Sequence, residues 1–344
     1  MEKGLIQVYT SESEQFNFAP MGLSLRAAGQ GLRTLITSFR PYDFMQGAPI
    51  ASSLLEPFLI IDDTAIDPLS SHSNGTSGVR PQMAEAFERS REAVFSGAFD
   101  VVILNGILDL LGRQLMPLKE ILNLLEEKPE SVELVLSGSK ANQMIIEKAD
   151  LVTEMVVNNQ RDSLPGKHPR NGHGAIEVIT GEGKGKTTYC LGKAMLMSCL
   201  QIPSLIFQVI KSPLPYGEIR AARKLPNLTI KTMGKGFLNE HASGQEQKHI
   251  DAARQAWALL RAEIYSLKYR LVVLDEINIA TYYDLIGGEK VSEMLFAKPP
   301  ELDLILTGRH AHLEVTKLAS SVIEMKEIKH PFAKGVQARK GIEY

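Results

Sequence analysis

One constant offset runs through this chain. Val101-Val102-Ile103-Leu104-Asn105 reads like Leu271-Val272-Val273-Leu274-Asp275, with positions 105 and 275 lying 170 apart. Lys128-Pro129 meets Lys298-Pro299, and Leu134-Val135-Leu136-Ser137-Gly138 meets Leu304-Ile305-Leu306-Thr307-Gly308, at the same separation of 170. At the front, Ile6-Gln7-Val8-Tyr9-Thr10 pairs with Ile176-Glu177-Val178-Ile179-Thr180, Gly22 with Gly192, and Glu154-Met155 with Glu324-Met325. A fixed period across separated blocks marks a tandem duplication, so both halves must adopt one topology. The 344 residues give each copy enough chain for a core of its own.

Each copy alternates short apolar runs with helical periodicity. In the second half the runs fall near 175–179, 204–210, 228–233, 271–275, 302–306 and 321–325. Between them Ile250, Ala253, Trp257, Leu260, Ile264 and Leu267 recur every three or four residues, as on an amphipathic helix. Continuous apolar strands alternating with helices predict an α/β class: tandem P-loop (RecA-like) domains, each a mostly parallel sheet with helices on both faces. The spacing divides the chain into a first domain at 1–157, a linker at 158–173 and a second domain at 174–344. The linker carries Pro165, Pro169 and several Gly and Asn residues without periodicity, and a second polar loop runs from Asp62 to Pro81. Trp257, Tyr282 and Tyr283 are read as packing residues.

Thr180-Gly181-Glu182-Gly183-Lys184-Gly185-Lys186-Thr187-Thr188 follows the apolar run Ala175-Ile176-Glu177-Val178-Ile179. Strand, glycine-rich turn and helix form the context of a phosphate-binding loop. Glycines let successive N–H groups converge on phosphate oxygens, and the helix N-terminus adds its positive dipole end. Lys186 supplies a point charge, Lys184 a second cation, and Thr187 a hydroxyl suited to Mg²⁺. The strict pattern G-x-x-x-x-G-K-[ST] requires Gly at 180, where Thr stands, so this loop is a variant. Asp275-Glu276, at the end of an apolar strand, fits a position where carboxylates hold Mg²⁺ directly or through water. Arg309 follows Thr307-Gly308 at another strand end.

The first half has lost all of this. The loop maps onto Ser11-Glu12-Ser13-Glu14-Gln15-Phe16-Asn17-Phe18, with Phe16 for Lys186 and Glu14 for Lys184. Asp275-Glu276 becomes Asn105-Gly106, and Arg309 becomes Ser139. A carboxylate where phosphates should lie is repulsive. The apolar strands survive while the polar positions vanish together, which ties those positions to one site and predicts one nucleotide per chain.

Composition sets outer bounds. A net charge of −2 argues against a general nucleic-acid binder. Cys190 and Cys199 are the only cysteines, nine apart on one helix and on roughly opposite faces, so they do not pair. Two free thiols, no charged-then-apolar leader and no apolar run of about 18 residues point to a reducing, cytoplasmic setting without membrane insertion. His310, His312 and His330 show no metal-ligand spacing with the cysteines.

The loop, together with Tyr216-Gly217-Glu218, Val273-Leu274-Asp275-Glu276, Leu306-Thr307-Gly308-Arg309, Lys329-His330-Pro331-Phe332 and the closing Gly335-Val336-Gln337-Ala338-Arg339-Lys340-Gly341-Ile342-Glu343-Tyr344, resembles the ATP:cob(I)alamin (corrinoid) adenosyltransferases of the CobA/BtuR type. The resemblance covers the second half at motif level and reaches the first through the repeat. It implies attack of a reduced corrinoid cobalt on C5′ of ATP with release of triphosphate. It also implies a nucleotide cradle at Gly181, Glu182, Gly183, Lys184, Gly185, Lys186, Thr187 and Thr188. Lys186, Lys184 and Arg309 would offset leaving-group charge, and Thr187, Glu276 and Asp275 would hold Mg²⁺. Phe237 would face the corrin, and a reductase partner would take Co(II) to Co(I).

Where the family has Gly-Phe-x-Trp, this chain has Gly236-Phe237-Leu238-Asn239, and it starts almost at the first strand without the family's N-terminal helix. Family members pair as homodimers, so the resemblance implies an intramolecular pseudo-dimer here, with further oligomerisation left open. By themselves the residues also allow a P-loop ATPase of another purpose or a corrinoid- or ATP-binding pseudoenzyme.

Overall fold

The structure, a computed structural model, describes residues 3–11, 17–40, 46–65, 81–160, 173–211, 216–233, 246–330 and 338–344. The short apolar runs become the strands β1 (Ile6–Ser11), β2 (Thr34–Ser38), β3 (Leu59–Asp62), β4 (Val101–Asn105), β5 (Glu133–Gly138) and β6 (Leu151–Gln160). The second copy gives β7 (Ile176–Thr180), β8 (Ser204–Gln208), β9 (Leu228–Thr232), β10 (Leu271–Asp275), β11 (Asp303–Thr307) and β12 (Ser321–Lys329). Among the described residues they form one 12-stranded sheet in the order β3-β2-β4-β5-β1-β6-β12-β7-β11-β10-β8-β9. Read outwards from the centre, both halves repeat one order.

All neighbours are parallel except the central β6–β12 pair. There Met325 faces Met155, Glu324 faces Val156 and Lys326 faces Glu154. With a repeat of 170, Met155 and Met325 are equivalent, so a pseudo-two-fold axis passes between them. β6 reaches Gln160, so residues 158–160 of the expected linker are strand; residues 161–172 lie outside the described residues.

The two sheet faces carry different cores. On one, Ile36, Ile103 and Val135 of the first half and Ile206, Val273 and Ile305 of the second share a single buried cluster with the helices Ala19–Gly29 and Lys186–Cys199. On the other, Val102, Leu104 and Leu136 pack in one separate cluster, and Val272, Leu274 and Leu306 in another. Successive strand residues thus alternate between cores, as pleating requires. The halves are joined by a common core rather than resting on two complete ones.

The helices Ala19–Gly29 and Lys186–Cys199 meet at glycine. A Cβ at Gly22 would stand 1.7 Å from the Thr188 carbonyl oxygen, and one at Gly192 would stand 2.1 Å from that of Phe18. These contacts are themselves two-fold equivalents. Only a residue without Cβ lets the backbones approach so closely.

Smaller departures have local causes. The predicted helix spans Glu246–Ile264, so Leu267 falls beyond it at φ 59° and is 75% exposed. In the loop expected at Asp62–Pro81, Asp62 is the last residue of β3 and Pro81 opens the helix Pro81–Phe95, while 66–80 lie outside the described residues. Tyr282 is 57% exposed and stacks on the His310 ring at 4.2 Å between centroids, so it serves as a surface stack and not as core packing.

Because the atoms nearest a Gly22 Cβ are all backbone, Gly22→Val should cost at least about 2–3 kcal/mol of stability. Denaturant unfolding of the full chain measures this, and a midpoint within error of the parent would contradict the helix contact.

Candidate functional site

The phosphate-loop pattern lies where β7 turns into the helix Lys186–Cys199. Gly181 and Gly185 adopt φ of 96° and 108°, which glycine accepts without strain. The loop is wedged against β12: the Gly183 N–H donates to the Met325 carbonyl at 2.7 Å, and a Cβ at Gly181 would stand 2.5 Å from that oxygen. Gly185 caps the helix without a side-chain hydrogen bond, leaving first-turn N–H groups for another acceptor. Lys186 Nζ donates to the carbonyls of Gly181 and Gly183 at 2.6 and 2.8 Å.

The carboxylate pair divides its work. Asp275 is fully buried, its Oδ1 accepting from the hydroxyls of Thr187 and Thr307, each at 2.8 Å, and its Oδ2 from Gln208 at 3.4 Å. Glu276 follows in a left-handed conformation, φ 67°, which turns it out of the strand, and its N–H donates to Thr307 at 3.0 Å. Among the described residues its buried Oε2 has no hydrogen-bond partner. Burial, reinforced by Asp275 beside it, pushes the Glu276 carboxyl up to about 7, against the pull of Lys186, Lys211 and Arg309. Burial likewise brings the Lys186 ammonium down to about 8 although Glu276 favours its charge.

These groups face a cavity of about 250 Å³, lined from the second half by Lys184, Gly185, Lys186, Thr187, Thr188, Lys211 and Glu276. The opposite wall comes from the first half: Gln7, Tyr9, Leu23, Arg26 and Leu151. Tyr9 packs against the loop, its Cε1 lying 3.3 Å from where a Gly185 Cβ would stand, and its hydroxyl donates to Gln7 at 2.8 Å. The closing segment adds Ile342 and Glu343, and Glu343 pairs with Lys184 at 3.2 Å.

Of the residues singled out by sequence, Lys184, Gly185, Lys186, Thr187, Thr188 and Glu276 line this cavity, while Gly181, Glu182 and Gly183 form the turn outside its lining and Asp275 lies one layer behind. Arg309 lies across the loop instead, its Nε 3.1 Å from Glu182 Oε2 and its Nη2 donating to the Glu182 carbonyl at 3.3 Å. Phe237 and Asn239 lie outside the described residues. Thr307, Gln208, Lys211, Tyr9 and Arg26 were missed. The repeat held a signal for Thr307, whose counterpart is Ser137, but none for the residues reaching in from the first half.

The first-half counterpart keeps the skeleton and loses the charge. Ser137 donates to Asn105 Oδ1 at 2.8 Å, the Gly106 N–H donates to Ser137 at 3.2 Å, and Asn105 Nδ2 donates to Ser38 at 3.4 Å. The first two bonds repeat those of Thr307 with Asp275 and Glu276, while the third is reversed: Gln208 donates to Asp275, but the Asn105 amide donates to Ser38. Residues 12–16, the counterpart of the loop, lie outside the described residues.

The folded Glu276 carboxyl holds its proton above the ordinary value of 4.5, so its ionisation lowers stability as pH rises from there through about 7. Glu276→Gln should therefore stabilise the ligand-free protein at pH 8 by on the order of 1 kcal/mol, with the gain fading toward pH 4–5. Thermal melting at the two pH values measures it, and equal gains at both would contradict a buried charge at Glu276.

Comparison with known proteins gives the family of the chain. The family model "ATP:corrinoid adenosyltransferase BtuR/CobO/CobP" matches residues 2–163 and again 172–344. An uncharacterized protein of Nostoc sp. is 28% identical over 99% of this chain and 95% of its own length. Corrinoid adenosyltransferases of Sinorhizobium sp. and Escherichia coli (strain K12) are 34% and 32% identical, each over 50% of this chain and over 80% and 86% of their own. Matched by that family model in both halves, this chain belongs to the ATP:corrinoid adenosyltransferase family.

Proposed function

We propose that this protein transfers the 5′-deoxyadenosyl group of ATP to the cobalt of a reduced corrinoid and releases triphosphate. The observation that carries this reading is the convergence of Lys186, Thr187 and Glu276 of the second half on one cavity between the halves, with Asn105-Gly106 at the mirrored carboxylates. In this reading 174–344 is the working domain, and 1–157 is a degenerate repeat standing where a homodimer's second subunit would.

The Co(I) electron pair forms the bond to C5′, the C5′–O bond breaks, and its electrons leave on triphosphate. Cobalt carries no proton to remove, so no general base is required. The protein's task is to place C5′ and to offset charge growing on the leaving group. Lys186 and Lys184 line the cavity for this purpose, at the N-terminus of the helix Lys186–Cys199. Arg309, beside Glu182, is within reach of the loop from outside.

The residues present fit Mg²⁺. Thr187 donates its proton to Asp275, leaving its oxygen lone pairs to accept, and the buried Glu276 Oε2 has no partner among the described residues. Thr187 and Glu276 would hold the ion, Asp275 would orient Thr187, and Mg²⁺ would supply neutralising charge to the phosphates. The family resemblance alone motivates assigning Phe237 to the corrin and delivery of Co(I) to a reductase. Among the described residues no helix is long and apolar enough to cross a membrane. The two free cysteines are the ground on which we place the reaction in the cytoplasm.

Incubation of the full chain with ATP, Mg²⁺ and chemically reduced cobalamin tests this through the absorbance change of Co–C bond formation and the identity of the product. Triphosphate is expected; inorganic phosphate without Co–C formation would establish an ATPase instead. Lys186→Ala should slow adenosyl transfer by on the order of 10²-fold or more. Calorimetric titration should find one ATP per chain, and two equivalent sites would refute the asymmetry of the halves.

A further inference from the structure

A buried cluster of charges joins the two halves at the edge of the cavity. Arg26 Nε lies 3.1 Å from Glu218 Oε2, with side chains 5% and 0% exposed, and Arg26 Nη1 donates to the Ile342 carbonyl at 2.9 Å. The other oxygen of Glu218 accepts from Lys211 Nζ at 3.1 Å. Both cations line the cavity. Burial would push the Glu218 carboxyl up, yet Arg26 and Lys211 outweigh it and hold the group at about 2. One carboxylate is thus shared by two cations, and the cluster keeps a net charge of +1.

The pseudo-two-fold axis provides an internal control. Backbone approaches at this contact exist on both sides: a Cβ at Gly217 would stand 2.3 Å from the Arg26 carbonyl oxygen, and one at Gly47 would stand 2.6 Å from that of Leu196. Yet the positions matching Arg26, Glu218 and Lys211 are Leu196, Ala48 and Pro41. Leu196 and Ala48 are fully or almost fully buried. An apolar pair therefore suffices for packing there, and buried ion pairs seldom add stability over such a pair. The charged cluster occurs only beside the intact phosphate loop.

We propose that Arg26, from the half without a phosphate loop, is a positioning residue of the nucleotide site, sharing Glu218 with Lys211 so that Lys211 keeps a net charge toward the triphosphate. Without Arg26, Glu218 would neutralise Lys211 alone. This inference rests on the nucleotide-binding reading of the cavity, and the controls separate the two.

The test is equilibrium binding of MgATP to the full chain, without corrinoid, at two ionic strengths. Arg26→Leu should weaken binding about tenfold and flatten its salt dependence. At saturating ATP the rate of adenosyl transfer should stay within about threefold of the parent, so that the change falls on KM. Arg26→Leu combined with Glu218→Ala installs the mirror pair and frees Lys211. That double variant should fold and recover binding to within about threefold of the parent. Parental affinity in Arg26→Leu, or a double variant as weak as the single, would overturn the proposal. Parental affinity in Lys186→Ala would overturn the nucleotide-site reading itself, and this inference with it.

Discussion

The contact of Gly22 with Gly192 is what the rest of the molecule depends on. It lets two helices meet backbone to backbone, and this close approach merges the inner cores of the two halves into one. The central strands can then pair antiparallel about Met155 and Met325, so that twelve described strands form one sheet instead of two. Because the Lys186–Cys199 helix also carries the phosphate loop at its N-terminus, the same contact brings Tyr9 and Arg26 to the cavity. Packing and site geometry are fixed by one pair of glycines.

The two copies show which part of a site is scaffold and which part is chemistry. The hydroxyl beneath the strand ends, Thr307 or Ser137, hydrogen-bonds in both halves to the side chain at the end of the neighbouring strand. That side chain is a carboxylate in one half and an amide in the other. An amide keeps the bond from the hydroxyl and donates on its other side, without the cost of a buried charge, so the neutral copy holds its turn at lower electrostatic cost. In the intact copy the cost stays concentrated at Glu276, whose carboxyl is poised near neutrality.

Most of the fold was legible because it is local. The apolar runs and the glycine turn lie within short windows that the 170-residue offset repeats, and the six strands expected in the second half all form, with ends moved by a few residues. The site was legible only where its residues share the loop or a strand end. Thr307 carried the offset signal, yet nothing in the sequence says that its hydroxyl lies under Asp275. Arg26 and Glu218 are 192 positions apart, and Tyr9 meets Gly185 across the seam, so neither pairing leaves a local pattern. Tyr282 misled because an aromatic at a helix end reads alike whether it faces the core or stacks outward on His310. Leu267 continued the apolar period past the turn that ends the helix.

The shared core also shapes how the chain reaches this state. Contacts between the helices Ala19–Gly29 and Lys186–Cys199, and between β6 and β12, join residues some 170 positions apart, so closing them costs loop entropy before burial repays it. During synthesis the first half emerges before its partner helix and strand exist. Its inner helix face and the edge of β6 must stay open to solvent until the last strand is made. An open strand edge beside an apolar face is the surface on which nascent chains associate with one another. The fusion that gives the mature protein its single sheet therefore makes the half-made chain its most vulnerable form, with folding complete only when nearly the whole sequence has been translated.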